Sequence, residues 1–112
     1  MQIKYEQKGK IGIVNISGRL DASNSTELKE SFRSYLADTV NFVLDCSELE
    51  FVDSTGLGAI ISILKSSTEK KGDVLIANLQ QKPAMLFEIT RAYKIFEVFD
   101  DLEKAVKSLE KS

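Results

Sequence analysis

Phe51-Val52-Asp53-Ser54-Thr55-Gly56-Leu57-Gly58 is the stretch on which the reading of this chain turns. Upstream of it, Phe42-Val43-Leu44-Asp45 and the trailing Leu49-Glu50-Phe51-Val52 have the composition of a strand. Downstream, Leu57, Ile60, Ile61 and Leu64 recur at helical spacing, and the helix reaches about Lys70. Two hydroxyls and two glycines therefore stand where a strand gives way to a helix. A helix start presents unpaired backbone N–H groups and the positive end of the helix dipole. A hydroxyl there either caps the helix or carries a phosphate, and both readings are open at this point.

Capping needs little. Asp53 or Ser54 at the N-cap contributes about 1 kcal/mol, with Gly56 and Gly58 relieving crowding at a sharp turn. A phosphoacceptor or oxyanion site at Ser54 is the alternative. Glycines let a ligand approach, and backbone N–H groups at a helix start suit a phosphate. Phosphoserine adds about −1.5 to −2 charges at neutral pH. The dipole favours that charge while the Asp53 carboxylate repels it, a balance suited to a reversible switch. Other phosphate and nucleophile motifs fail on the residues. Gly56-Leu57-Gly58 has no P-loop lysine, Ile61 stands where a dinucleotide fingerprint needs its third small residue, and Val52 stands where a nucleophile elbow needs glycine.

Outward from this turn the chain reads as alternating strands and helices. Gln2–Gln7 alternates apolar and polar residues, Lys8-Gly9-Lys10 turns, and Ile11–Ile16 is apolar on both faces, so the two form an antiparallel hairpin. Ser17-Gly18-Arg19-Leu20-Asp21 reads as a loop. Asn24 and Glu27 have capping-box spacing before a helix with the stripe Leu28, Phe32, Tyr35 and Leu36, ending near Asp38. Val40–Leu44 is a strand, Gly72-Asp73 a turn and Val74–Ala77 a buried strand. Gln81-Lys82-Pro83 opens a helix with the face Met85, Leu86 and Ile89, with proline tolerated in the first turn. Ile95–Phe99 is a short strand. Asp100 and Glu103 cap a last helix bearing Leu102, Ala105, Val106 and Leu109. Phe32, Tyr35, Phe42, Phe87 and Phe99 are expected to pack. The order β-β-α-β-α-β-α-β-α predicts one α/β domain over residues 1–112, a mixed sheet of four to five strands packed with about four helices.

Composition bounds the function. The chain has 112 residues, 43% hydrophobic and 29% charged, enough for a single core. Fifteen basic against 17 acidic residues leave a net charge of −2. That gives no electrostatic reason to expect direct nucleic-acid binding. With no histidine, Ser-His-Asp and Cys-His catalysis and His-based metal sites are out. The lone Cys46 follows a strand and reads as a small buried hydrophobe. A single cysteine, no apolar run of membrane-spanning length and no secretory leader at Met1–Glu6 predict a cytoplasmic protein with no membrane insertion.

Leu49-Glu50-Phe51-Val52-Asp53-Ser54-Thr55-Gly56-Leu57-Gly58 resembles the signature of the bacterial anti-sigma factor antagonists of the STAS domain family. Gly18-Arg19-Leu20-Asp21 resembles that family's segment after its second strand, and Leu86-Phe87-Glu88-Ile89-Thr90 its third-helix segment. The three motifs occur in the family's order, and the likeness runs from about Ile3 to about Leu109. It implies a STAS-type fold and a non-enzymatic partner switch in bacterial transcription regulation, with no cofactor and no metal. A kinase that is also the anti-sigma factor would phosphorylate Ser54, with Thr55 a minor alternative. The unphosphorylated form would bind the anti-sigma factor and release the sigma factor, and a serine phosphatase would reset it. Asp21, Ser23, Asp53, Ser54, Thr55, Gly56, Leu57 and Gly58 are the implied partner-binding residues, and a monomer is expected when free. The alternative within the resemblance is a constitutive accessory or scaffold STAS subunit of a signalling or transport complex. Outside it stands a small nucleotide-binding domain or enzyme using the same helix start. One departure is Arg91-Ala92-Tyr93, where many members end the third helix with Gly-Leu.

Overall fold

A computed structural model of the chain describes residues 1–111. The chain opens with a hairpin of β1 (Gln2–Lys8) and β2 (Ile11–Leu20), antiparallel from Gln2 opposite Ser17 to Lys8 opposite Ile11. There follow α1 (Ser25–Tyr35), β3 (Asn41–Asp45), β4 (Leu49–Val52), α2 (Ser54–Glu69), β5 (Asp73–Ala77) and α3 (Gln81–Ile89). A 3₁₀ turn (Ala92–Lys94), β6 (Val98–Phe99) and α4 (Leu102–Glu110) complete the chain. The sheet runs β1-β2-β3-β5-β6, parallel from β2 onward, and β4 adds to the far end of β2. The main path thus has five strands and four α-helices, as expected, and β4 makes a sixth strand.

That sixth strand corrects the sequence reading. Ser17–Leu20, read as a loop, continues β2, and Leu49–Val52, read as a trailing end, pairs with it in parallel. Between Gly18 and Arg19 the pairing passes over Glu50 of β4, and Gly18 sits at φ +84°. The glycine serves a bulge inside a strand rather than a turn. The consequence is direct: β2 is carried on to Leu20, beside the start of α2.

Side chains alternate between two apolar layers. On one face Val14, Ile16, Phe42, Leu44, Val74 and Ile76 pack under α1, α2 and α3, through Leu28, Phe32, Leu57, Ile60, Ile63 and Phe87. On the other, Ile11, Val43, Leu75 and Ala77 lie under Ala105, with Phe99, Leu102, Val106 and Leu109 around them. Covering on both faces is why the central strands are apolar without alternation. Phe32 and Phe42 pack with ring centroids 4.4 Å apart, and Tyr35 stacks on Tyr5 at 4.0 Å. Cys46 is fully buried, and burial pushes its thiol up to about 12, so it is inert packing.

Helix details shift from the sequence reading where short polar side chains had a choice of partner. The Asn24–Glu27 capping box does not form: Asn24 Oδ1 accepts from the Asp21 N–H and its Nδ2 donates to the Arg19 carbonyl. Helix α1 ends at Tyr35, short of Asp38. On α2, Ala59 and Ile63 are buried with Leu57 and Ile60, while Ile61 and Leu64 are half-buried. The cap of α4 is Asp101, which accepts from the Lys104 N–H at 2.7 Å; Asp100 instead pairs with the Lys104 ammonium. On α3 the buried side chains are Pro83 and Phe87, whereas Met85 and Ile89 face outward. Arg91 adopts the left-handed conformation, φ +61°, that ends this helix segment without a glycine. The last strand is shorter than Ile95–Phe99, with Ile95 left after the 3₁₀ turn.

Candidate functional site

The site forms where the far end of β2, paired with β4, meets the first turn of α2. Leu20 stands opposite Val52, and its carbonyl accepts the Asp53 N–H at 3.2 Å. Asp53 is extended, φ −99° and ψ −177°, and its Oδ1 accepts the Gly56 N–H at 2.7 Å. Asp53 is therefore the N-cap, and Ser54 and Thr55 are the first two helical residues. Both are exposed, and among the described residues neither hydroxyl has a hydrogen-bond partner. The two readings of the serine separate here, because the cap is held by its neighbour and the Ser54 hydroxyl is free.

Gly56 is required by contact. A Cβ there would lie 2.5 Å from the Leu20 carbonyl oxygen and 2.9 Å from side-chain carbons of Leu20 and Val52. Only a bare Cα lets the helix start so close to β2. Gly58 has no such constraint, since a Cβ built on it meets nothing within 4 Å. It lies four residues after Ser54, on the same face of α2, and is exposed. Gly56 and Leu57 are buried, Leu57 with 4% of its surface exposed, so they shape the site from beneath.

The turn from β2 into α1 runs beside this helix start. Asp21 Oδ1 accepts from the Ser23 hydroxyl at 2.6 Å and from the Ser23 N–H at 3.0 Å. The Asp21 carbonyl accepts the N–H groups of Asn24 and Ser25, so Asp21 closes the turn with both of its oxygen-bearing groups. The two Ser23 bonds, with help from the Arg19 and N-terminal charges, hold the Asp21 carboxyl below its ordinary value of 3.8. Asp21, Ser23, Asp53, Ser54, Thr55 and Gly58 thus come to one end of the sheet. The first turn of α2 carries no acidic residue of its own, so its unpaired N–H groups face solvent beside one carboxylate, that of Asp53.

Two features of this end were missed in the sequence. The Arg19 guanidinium lies over the Phe51 ring, 4.1 Å from its centroid. Met85 and Ile89, four residues apart on α3, line an open groove with Phe51, Val52, Lys82 and Leu86. The i, i+4 apolar spacing looks the same whether a pair faces the core or solvent; only Phe87, midway between the two and so on the opposite side of the helix, hinted at a competing face. Among the described residues no helix is long and apolar enough to cross a membrane.

Comparison with known proteins gives a consistent result. A family model described as the STAS domain matches residues 2–105. An anti-sigma-B factor antagonist of Listeria monocytogenes is 28% identical over 99 residues, 88% of this chain and 86% of that one. An anti-sigma F factor antagonist of Paenibacillus polymyxa is 27% identical over 112 residues, covering 98% and 96%. The crystal structure of an anti-sigma factor antagonist from Mycobacterium paratuberculosis superposes with a TM-score of 0.87 at 20% identity, over 97% of this chain and 93% of that one. At that identity the superposition speaks for the fold.

Proposed function

Because the chain belongs to the STAS domain family, we propose that it is an anti-sigma factor antagonist, a regulator rather than an enzyme, switched by phosphorylation of Ser54. Unphosphorylated, it docks on an anti-sigma factor kinase and the sigma factor is released. Phosphorylated, it lets go, and a serine phosphatase restores it. The observation that carries the reading is the free, exposed Ser54 hydroxyl at the first position of α2, left without a structural task because Asp53 holds the cap. The names of the relatives from Listeria and Paenibacillus support the antagonist role.

The physics of the switch follows from the surroundings. A partner covering the start of α2 strips water from Ser54. A phosphate on that oxygen is a near-dianion beside the Asp53 carboxylate. In free solution the phosphate stays hydrated and the dipole of α2 favours it. Inside an interface it loses hydration with no cation from this helix turn to pair with. Leaving a buried charge unpaired costs about 3–5 kcal/mol. The half-buried Asp21 and Asp53, with the exposed Ser23, Thr55 and Gly58, form the recognition surface around Ser54. Gly56 and Leu57 set the position of the helix start.

The test is incubation of the purified protein with ATP and the anti-sigma kinases of its source organism, followed by peptide mapping and binding assays. One phosphate on Ser54 is expected, with Thr55 as the minor alternative. Ser54→Ala should bind the kinase tightly, and Ser54→Asp roughly 100-fold more weakly, about 2.7 kcal/mol. No modification, with both variants binding a partner equally, rejects the switch in favour of a constitutive STAS subunit.

A further inference from the structure

The large hydrophobic side chains exposed among the described residues are Met85, Ile89, Tyr93, Ile95 and Val98, all within one stretch of the chain. Ile89 is the extreme, with 77% of its surface in water. Met85 and Ile89 form one wall of the α3–β4 groove, an open cleft of about 270 Å³. Phe51 and Val52 form the other wall and lead directly into Asp53 and Ser54. A groove walled by exposed apolar side chains is a shape that an apolar segment can fill.

Two cations border the groove. Lys82 lines it, and Arg19 covers the outer face of Phe51. The salt bridges among the described residues join Lys104 to Asp100 and Lys107 to Glu103, so neither Arg19 nor Lys82 is held in one. Arg19 also lies near enough to Asp21 to help hold that carboxyl down. Groove, Arg19, the Asp21 turn and the start of α2 are thus one continuous surface.

We infer that the α3–β4 groove is the second half of the partner-docking surface, and that it takes an apolar segment flanked by carboxylates from the same anti-sigma factor that covers Ser54. The inference rests on the proposed antagonist function for the identity of that partner. The occupant's chemistry follows from the groove: aliphatic and aromatic walls for the apolar segment, Lys82 and Arg19 for the carboxylates. A second copy of this chain is the competing occupant, since Tyr93, Ile95 and Val98 are exposed outside the groove, and the oligomeric state in the test decides between the two. The groove contains no phosphoacceptor, so its contribution is the same in both phosphorylation states. The Ser54 half then turns binding on or off while the groove half sets its strength.

The test measures affinity for the purified anti-sigma factor of the source organism with wild type, Ile89→Glu, Ile89→Ser, Lys82→Glu and Ser54→Asp, alongside the oligomeric state of each. Thermal unfolding checks that the exposed substitutions leave the fold intact. Ile89→Glu is expected to weaken binding roughly thirtyfold and Ile89→Ser roughly tenfold, chiefly through faster dissociation. Lys82→Glu should weaken it roughly fivefold and flatten its salt dependence. In kinase assays Ile89→Glu should raise KM for phosphorylation of Ser54 and leave kcat unchanged. If Ile89→Glu binds like wild type while Ser54→Asp is weakened, the groove proposal fails and the switch stands. If Ile89→Glu is weakened while Ser54→Asp binds like wild type, the groove stands and the switch fails. A wild-type dimer that Ile89→Glu turns into a monomer, with partner affinity unchanged, assigns the groove to a second copy and overturns the inference. No binding of the wild type to any anti-sigma factor overturns both.

Discussion

The starts of α2 and α4 are closed by the same bond, yet almost nothing else about them agrees. Asp53 accepts the Gly56 N–H and Asp101 the Lys104 N–H, both at 2.7 Å. Around Asp101 the helix is fully served by its own charges. Glu103 sits in the first turn, and Lys104 with Asp100 and Lys107 with Glu103 form i, i+4 pairs at 3.0 and 3.5 Å. Around Asp53 there is no acid in the first turn and, among the described residues, no ion pair and no partner for the hydroxyls of Ser54 and Thr55. Helix α2 also begins in contact with β2 and its capping bond is half-buried, whereas the capping bond of α4 is exposed. A helix start arranged only for stability looks like that of α4. The start of α2 is tightly positioned and left electrostatically open, which is what a site for a removable anion requires.

If position is what distinguishes α2, the strongest perturbation is at Gly56. Gly56→Ala puts a methyl 2.5 Å from the Leu20 carbonyl, backbone that cannot swing aside. We expect a loss of about 3 kcal/mol in chemical denaturation. A change below about 0.5 kcal/mol would mean that the helix start is not pinned to β2, and the contrast with α4 would collapse.

The caps themselves come next. Asp101→Ala removes an exposed cap and should cost about 1 kcal/mol. Asp53→Ala removes the half-buried one and should cost about 2 kcal/mol, the upper end for caps, because the Gly56 N–H is then left under Leu20. Equal losses at the two positions, measured by denaturation, would show that the surroundings of Asp53 add nothing.

Gly58→Ala sharpens the comparison by separating folding from function. The methyl meets no atom within 4 Å, and replacing glycine inside a helix should stabilise the chain by about 1 kcal/mol. The same methyl lies on the Ser54 face, so affinity for the partner should fall although stability rises. A stabilised variant that binds as well as wild type would remove Gly58 from the recognition surface.

These contrasts also mark how far the sequence could be read. The central strands β3 and β5, α2 and the Asp53–Gly58 turn were legible, because continuous apolar runs and helical spacing leave few alternatives once both sheet faces are covered. The β2–β4 pairing was not, because Gly18 looks the same in a bulge as in a turn, and parallel pairing across about 30 residues leaves no local trace. Capping positions slipped where adjacent polar residues compete. Asp100 and Asp101 both suit a cap, and the choice between them came from the Lys104 pairing. Asn24 was read as a cap and instead bonds back to Asp21 and Arg19. At the site, the residue types around Ser54 were legible. That Asp53 rather than Ser54 holds the cap is again a local choice between adjacent polar residues, whereas the placing of Arg19 and the α3 groove depended on tertiary contacts.

The smallest effect concerns the turn that flanks α2 and has no counterpart at α4. Asp21 accepts two bonds from Ser23, and its folded pKa lies below its ordinary value of 3.8. For a carboxyl so depressed, the stabilisation is fully present above the unfolded pKa and is lost as pH falls through the folded one. The turn should therefore be insensitive to pH from neutrality down to the carboxylate range and loosen only below it. Asp21 is half-buried, but its carboxylate bonds to Ser23 lie at the surface, so solvent screening keeps the gain small and local. The measurement is amide exchange at Ser23 and chemical-shift titration across acid pH, compared with Asp21→Asn, which keeps a side-chain acceptor but no charge. Wild type should lose protection at Ser23 as Asp21 protonates, and the variant should show weaker protection with no acid transition. A wild-type transition near neutral pH would mean that some other group orders the turn, and the loop beside Ser54 would then have its own switch.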